Sequence, residues 1–300
     1  MTVEYYWPRR TEISKLCIYH GNCADGFTGA WVVRKALGQN VDFVGGVYQT
    51  PPPDVTGKDV ILVDFSYKRP VMEQIVSQAK SVLVLDHHKT AEEDLTGLSG
   101  AEVVFDMNRA GSHIAWDYYF PKEIPPPVLM HVEDRDLWRF TMPDTREIQA
   151  NIFSYPYDFA IWDRLMASDP KVLAVEGKAI ERKHFKDIEE LLGVVQRRMN
   201  IGGYNVPIAN LPYTLVSDAA HKMAEGEPFA GCYWDTPKGR VFGLRSTDEG
   251  IDVSEIAKMY GGGGHRNAAG FSVPFDIAIN FEVKKEIPTW PDVRKGVTND

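Results

Sequence analysis

The residues best suited to chemistry are Asp86-His87-His88, an acid and two imidazoles that end an apolar run from Val82 to Leu85. Such a run reads as a strand buried on both faces, so the three polar side chains leave the sheet together at its end. A carboxylate and an imidazole nitrogen at a strand end can hold a divalent metal, and a second imidazole beside them can meet an anion or move a proton. One tripeptide cannot fill a coordination sphere. The remaining ligands must come from other strand ends of the same sheet.

The chain supplies them. Leu16 to Tyr19 forms a short strand signal ending at His20, followed by a loop with Cys23 and Asp25 and then a helical stretch through Leu37. Val41 to Gly46 is a second strand, and after Pro51-Pro52-Pro53 a third, Val60 to Val63, ends at Asp64. Pro70 to Ala79 reads as a helix leading into the Asp86 strand, and Glu102 to Phe105 is a fifth strand. The Asn108 to Ser112 turn then enters a helix through Phe120. Strands alternating with helices imply right-handed crossovers and a mainly parallel sheet covered on both faces. His20, Asp25, Asp64, Asp86, His87 and His88 all fall at C-terminal strand ends, where open α/β sheets bind ligands. A further cluster, Glu133-Asp134-Arg135-Asp136, ends an apolar helix-like run from Pro127 and would close over the same edge. Carboxylates mixed with imidazoles suit Mn²⁺ or Mg²⁺ better than a thiolate-preferring metal.

Other polar residues have plainer roles. Asp106 is expected to cap a turn or pair with Arg109, Cys23 to be a packed thiol, and His113, His131, His184 and His221 to be ordinary packed or surface histidines.

Three hundred residues with 44% hydrophobic content are enough for about two domains with their own cores. Three widely separated cysteines point to free thiols. Met1 to Glu12 has no apolar stretch, and no run approaches the ~18 apolar residues of a membrane helix, so we expect a soluble cytoplasmic protein. A net charge of −9 argues against sequence-independent binding of long duplex nucleic acid and leaves room for a small anion held locally.

Beyond Asp136 the pattern changes. Phe159 to Leu165 and Val172 to Met199 have helical spacing, and the second is heavily charged, as expected of a solvated linker helix. Strand signals return at Asn205 to Leu211, Tyr213 to Ser217, Phe229 to Trp234 and Arg240 to Arg245. Near the end of this part comes Gly261-Gly262-Gly263-Gly264-His265-Arg266, where glycine amides with His and Arg donors would cradle a phosphate. The expected architecture is a mainly parallel α/β domain over 1–155, a helical linker over 156–200 and a smaller α/β domain over 201–300.

Together, His20…Asp25-Gly-Phe27, Asp64, Asp86-His87-His88, Asp134-Arg-Asp136-Leu-Trp138 and Gly-Gly-Gly-Gly-His265…Ala-Ala-Gly270-Phe271 resemble the DHH phosphoesterase superfamily with a C-terminal DHHA1 domain. The resemblance spans about Leu16 to Phe271. It implies a metal-dependent, usually manganese-dependent, phosphohydrolase with one or two ions, Mg²⁺ or Co²⁺ being alternatives. By motif, His20, Asp25, Asp64, His87 and Asp134 correspond to metal ligands. Asp86, His87 and His88 correspond to catalytic positions, and His265, Arg245, Gly263, Gly264 and Arg266 to substrate contacts. The implied substrate is a short single-stranded oligonucleotide or related small phosphate ester. Exopolyphosphatase, cyclic-dinucleotide phosphodiesterase and a catalytically silent nucleotide-binding adaptor are alternatives, and a homo-oligomer is compatible with all of them. Many relatives carry a second acid where this chain has Phe27, so one metal site is expected to lack a ligand, with Asp136 the nearest replacement in sequence.

Overall fold

The computed structural model describes residues 14–275 apart from Gln39, so the Met1 to Glu12 segment lies outside it. The chain divides into two compact units, 1–178 and 179–300. Among the described residues no helix is long and apolar enough to cross a membrane.

The first unit is built on five parallel strands: β1 (Lys15–His20), β2 (Asp42–Gly46), β3 (Asp59–Val63), β4 (Ser81–Asp86) and β5 (Glu102–Phe105), in the order β2-β1-β3-β4-β5. The chain leaves β1 in one direction and reaches β3 in the other, so β1 and β3 flank the switch point of the sheet. Tyr19 lies beside Val63 and Val63 beside Leu85, which brings His20, Asp64 and Asp86 level at the C-terminal edge. Alternation then assigns the faces. Leu16, Ile18, Leu62 and Val84 pack with Met72 and Ile75 of α2 (Arg69–Gln78), while Cys17, Val63 and Leu85 pack beneath α1 (Ala24–Leu37). Burying each aliphatic side chain contributes about 1.5–3 kcal/mol relative to exposure. The short α3 (Lys89–Leu95) follows the two histidines.

Next come α4 (Gly111–Tyr119), α5 (Pro127–Asp136), α6 (Thr145–Phe153), α7 (Phe159–Met166) and α8 (Pro170–Val195). The Asp158 carboxylate caps α7 by accepting from the Ala160 and Ile161 amides. Trp162 of that helix is fully buried and donates from its indole to Thr28 Oγ1 at 3.0 Å. Residues 156–178, expected as part of a linker, therefore belong to the first core. The boundary between units falls inside α8. This helix also ends earlier than its charge pattern suggests, because Arg197 to Met199 are already in a strand.

The second unit contains β6 (Arg197–Ile201), β7 (Tyr204–Asn210), α9 (Val216–Met223), β8 (Ala230–Thr236), β9 (Gly239–Arg245), α10 (Val253–Lys258), β10 (Gly263–Gly264) and β11 (Ala268–Val273). Its six-stranded sheet runs β10-β11-β9-β8-β7-β6, with β7 and β8 parallel and the other neighbours antiparallel. The strand expected at Tyr213 to Ser217 is instead a 3₁₀ turn, Tyr213–Leu215, entering α9. The reason is topological. Parallel neighbours need a crossover, and Val216, Ala219, Ala220 and Met223 present a helical apolar face that packs with Ala209 and Cys232.

Candidate metal centre

His20 ends β1, and the loop after it is fixed by a hydrogen bond from Gly21 N to Gly46 O of 2.9 Å. Asp25 sits in the first turn of α1. That helix packs so tightly on the strand end that a Cβ at Gly26 would lie 2.4 Å from His20 O. Asp25 Oδ2 accepts from Gly111 N at 2.7 Å and Oδ1 from Ser112 N at 3.0 Å, at the positive N-terminus of α4. Burial nevertheless pushes the Asp25 pKa well up, and the nearby Asp64 and Asp136 charges push it further.

Asp64 follows β3 with φ 54°, in the left-handed region that Asp tolerates better than most residues. Its Oδ2 lies 3.3 Å from His20 Nδ1, and its Oδ1 lies 3.2 Å from His87 Nε2 and 3.7 Å from His88 Nδ1. Burial alone would raise its pKa, but hydrogen bonds from His20 and His87 outweigh that and hold it far below the usual carboxylate range. The Asp86 carboxylate organises the histidines: Oδ1 accepts from His87 N at 2.7 Å, His88 N at 3.2 Å and His88 Nδ1 at 2.8 Å. His87 Nε2 is also 3.4 Å from Asp136 Oδ2 and 3.8 Å from Asp25 Oδ2. Burial would lower the His87 pKa; the Asp64 hydrogen bond and the Asp136, Asp64 and Asp25 charges instead push it up to about 10.

Within the first unit the donor atoms form two groups, His20/Asp64/His88 and Asp25/His87/Asp136, each with its ligand atoms within 4.8 Å of one another. Asp64 contacts histidines of both. Oxygen and nitrogen donors in this proportion fit a hard or borderline dication. The electrostatics fit as well: burial and Asp64 raise the Asp136 pKa, as burial and its two acidic neighbours raise that of Asp25. Positive charge at this point would relieve both. Burial and the charges of Asp64, Asp136 and Asp25 push the Cys23 pKa well up, which disfavours a thiolate there in the metal-free chain.

Asp134, expected as a ligand, does not join either group. Its Oδ1 accepts from Thr141 N at 2.9 Å and Thr141 Oγ1 at 2.8 Å, and its Oδ2 from Met142 N at 3.1 Å and Thr145 Oγ1 at 2.7 Å. Asp136 comes to His87 instead. Phe27, which was expected to leave one metal site a ligand short, is 3% exposed in an aromatic nest with Tyr19, Tyr157, Phe159 and Trp162.

Of the residues read as ordinary, His113 Nδ1 meets Glu133 Oε2 at 2.7 Å, and the same carboxylate oxygen accepts from Ala110 N at 3.0 Å. This contact braces the turn that presents α4 to Asp25. His131 pairs with Thr145 and His184 with Asp218, while Arg109 pairs with Asp106 and Asp117.

In the second unit, Gly263 and Gly264 form β10, paired with Gly270 and Ala269. Gly261 N and Gly262 N bond the end of α10, so part of the glycine run closes a helix. His265 lies in the turn into β11, its amide donating to Ala268 O at 2.8 Å. Arg245 donates to Leu244 O and Ser217 Oγ. Arg266 Nη2 is engaged by the carbonyls of Asp248 and Gly250, which makes this guanidinium a brace for that loop.

Comparison with known proteins accords with this architecture. Residues 216–283 match the family model of the DHHA1 domain. The chain overlays on a DHH domain described as from a member of the s1p family of ribosomal proteins, with TM-score 0.54 and 13% identity, covering 87% of this chain and 83% of that one. The chain therefore has the DHH fold together with a DHHA1 domain. It is 30% identical over 284 residues to the uncharacterized protein R106 of Acanthamoeba polyphaga mimivirus, covering 85% of this chain and 66% of that relative. A pGpG-specific phosphodiesterase of Vibrio cholerae aligns with TM-score 0.48 and 15% identity, over 88% of this chain and 95% of its own. An exopolyphosphatase-related protein of Bacteroides fragilis aligns with TM-score 0.43 and 11% identity, over 89% and 90%.

Proposed function

We propose that the protein is a metal-dependent phosphoesterase that hydrolyses a short oligonucleotide or a related small phosphate ester. The observation that carries this reading is the paired donor set, His20/Asp64/His88 and Asp25/His87/Asp136, joined through Asp64 at the C-terminal edge of a parallel sheet. Bound Mn²⁺ would supply positive charge at the phosphoryl group and acidify the attacking water.

The chain's own residues divide the remaining work. Asp86 holds His88 by Nδ1 and fixes the backbone of both histidines. The α4 amides fix the rotamer of Asp25, and Asp64 stands between the two groups as the shared acid. Asp136 takes the ligand role expected of Asp134. In the second unit, His265 and Arg245 are the proposed contacts for substrate phosphate.

The test is a turnover panel with Mn²⁺ of a dinucleotide, a cyclic dinucleotide, a nucleoside bisphosphate and tripolyphosphate. The wild-type chain is compared with an Asp86→Ala, His87→Ala double variant. Hydrolysis of at least one substrate by the wild type alone supports the reading. Absence of turnover on all of them, or equal turnover by the double variant, overturns it.

A further inference from the structure

We infer that Tyr48 is a stacking platform for a nucleobase of the substrate, which makes the substrate a nucleotide or short oligonucleotide rather than inorganic polyphosphate. The inference rests on the phosphoesterase reading and narrows it.

Tyr48 lies just beyond β2, in a turn where Thr50 N and Oγ1 both donate to Val47 O and Gln49 adopts φ 64°. The residue is 47% exposed, yet its ring is not loose. Phe65, fully buried, packs on one side with ring centroids 4.8 Å apart. Phe65 is itself pressed against the backbone of β2, since a Cβ at Gly46 would lie 2.6 Å from its ring. The His20 ring meets Tyr48 edge-on at 5.4 Å and the His88 ring at 6.2 Å. The ring is therefore held against two imidazoles of the candidate metal centre in a residue that remains partly open to solvent. A nucleotide carries its base and its phosphate one sugar apart, and this arrangement offers a surface for each.

Two contrasts sharpen the assignment. Tyr118 and Phe153 are also exposed aromatics of this unit, but the ring contacts recorded for them are with Tyr119 and with Arg135. A polyphosphate chain would call for a row of basic side chains instead. Around the strand-end loops of this unit Lys68 is paired with Asp94, Lys89 with Glu93, Arg109 with Asp106 and Asp117, and Arg139 with Glu133.

The experiment measures equilibrium binding of a phosphorothioate dinucleotide and of tripolyphosphate in Mn²⁺ to the wild type, Tyr48→Ala and Tyr48→Phe. Turnover of the unmodified dinucleotide is followed in parallel. Removing the ring is expected to weaken dinucleotide binding by roughly 5- to 150-fold, the range for loss of one base stack. Tripolyphosphate binding should be unchanged, and Tyr48→Phe should keep the wild-type affinity because the ring face and not the hydroxyl makes the contact. Unchanged dinucleotide affinity in Tyr48→Ala, or equal weakening of both ligands, would overturn the stacking role and leave the phosphoesterase reading intact. Ring-dependent binding without turnover would overturn the phosphoesterase reading while the stacking role stands. Binding of neither ligand by the wild type would overturn both.

Discussion

Asp134 and Asp136 stand two residues apart on α5, and the structure assigns opposite consequences to neutralising them. In Asp134→Asn, one carboxylate oxygen becomes an NH₂ group. Whichever way the amide turns, a backbone N–H, Thr141 on one side or Met142 on the other, then confronts a donor. A buried donor left unsatisfied costs about 1–3 kcal/mol, and losing the charge weakens the bonds that remain, so the total is about 2–4 kcal/mol. For a unit of this size that corresponds to a fall in Tm of roughly 5–15 °C. Asp136→Asn should destabilise the metal-free protein less than Asp134→Asn, because burial and the Asp64 charge, partly offset by His87, already disfavour its ionised form. It should instead abolish metal uptake on the His87 side. The pH dependences also run in opposite directions. Burial would raise the Asp134 pKa, but bonds from Thr145 and Thr141 lower it, so its stabilisation is present above its unfolded pKa and lost as pH falls through the folded one. Asp136, with its pKa raised, contributes fully below its unfolded pKa and loses that contribution as pH rises through the folded one. Thermal melts of metal-free protein across pH, paired with Mn²⁺ binding by equilibrium dialysis, read both. The reasoning is refuted if Asp134→Asn loses metal without losing stability, or if Asp136→Asn destabilises as much as its neighbour.

Two more outcomes follow from the same centre. Gly111→Ala would put a Cβ 2.6 Å from the Asp64 Cβ and 2.8 Å from its Cα, so it should displace the shared acid and reduce Mn²⁺ affinity by tenfold or more, at about 1.4 kcal/mol per decade; unchanged affinity in a metal titration would contradict that placement. His87, with its pKa at about 10, is protonated at pH 8 in the metal-free chain, so Mn²⁺ binding there should release protons. The release, measured by calorimetry in two buffers, should shrink in His87→Ala. The sign for stability is the reverse of a depressed acid: the His87 contribution is full below about 6.5, its unfolded value, and is lost as pH rises through about 10.

The parallel sheet and most of the candidate centre were legible because apolar strands end abruptly in polar residues. Val82 to Leu85 and Val60 to Val63 carry their faces in composition alone, and Asp86, His87 and Asp64 follow directly. Asp136 was named only as a replacement for the acid missing at 27, and its coming to His87 in place of Asp134 was not legible. Both sit at the end of one helix, and which of them turns toward His87 depends on the loop through Thr145, whose contacts are tertiary. Helix α6 was also hidden, since its buried face mixes Ile148 and Ile152 with Thr145, Gln149 and Asn151 and so lacks a clear apolar stripe. Tyr213 to Ser217 resembles a strand locally, and only the parallel pairing of β7 with β8 demands a helix there. Tyr48 left no signal, because one aromatic in a turn acquires meaning only from the histidines beside it.

The nest around Phe27 bears on how the centre could change over time. Acquiring an acid at this position would place a carboxylate among Phe159, Trp162, Tyr157 and Tyr19 and remove a large ring from the core, a loss of about 3–5 kcal/mol for truncations of this kind. A single acid at 27 would therefore cost a large share of the roughly 5–15 kcal/mol that stabilises a typical domain. The aromatic packing of this chain thus holds position 27 apolar independently of whatever the neighbouring donors bind.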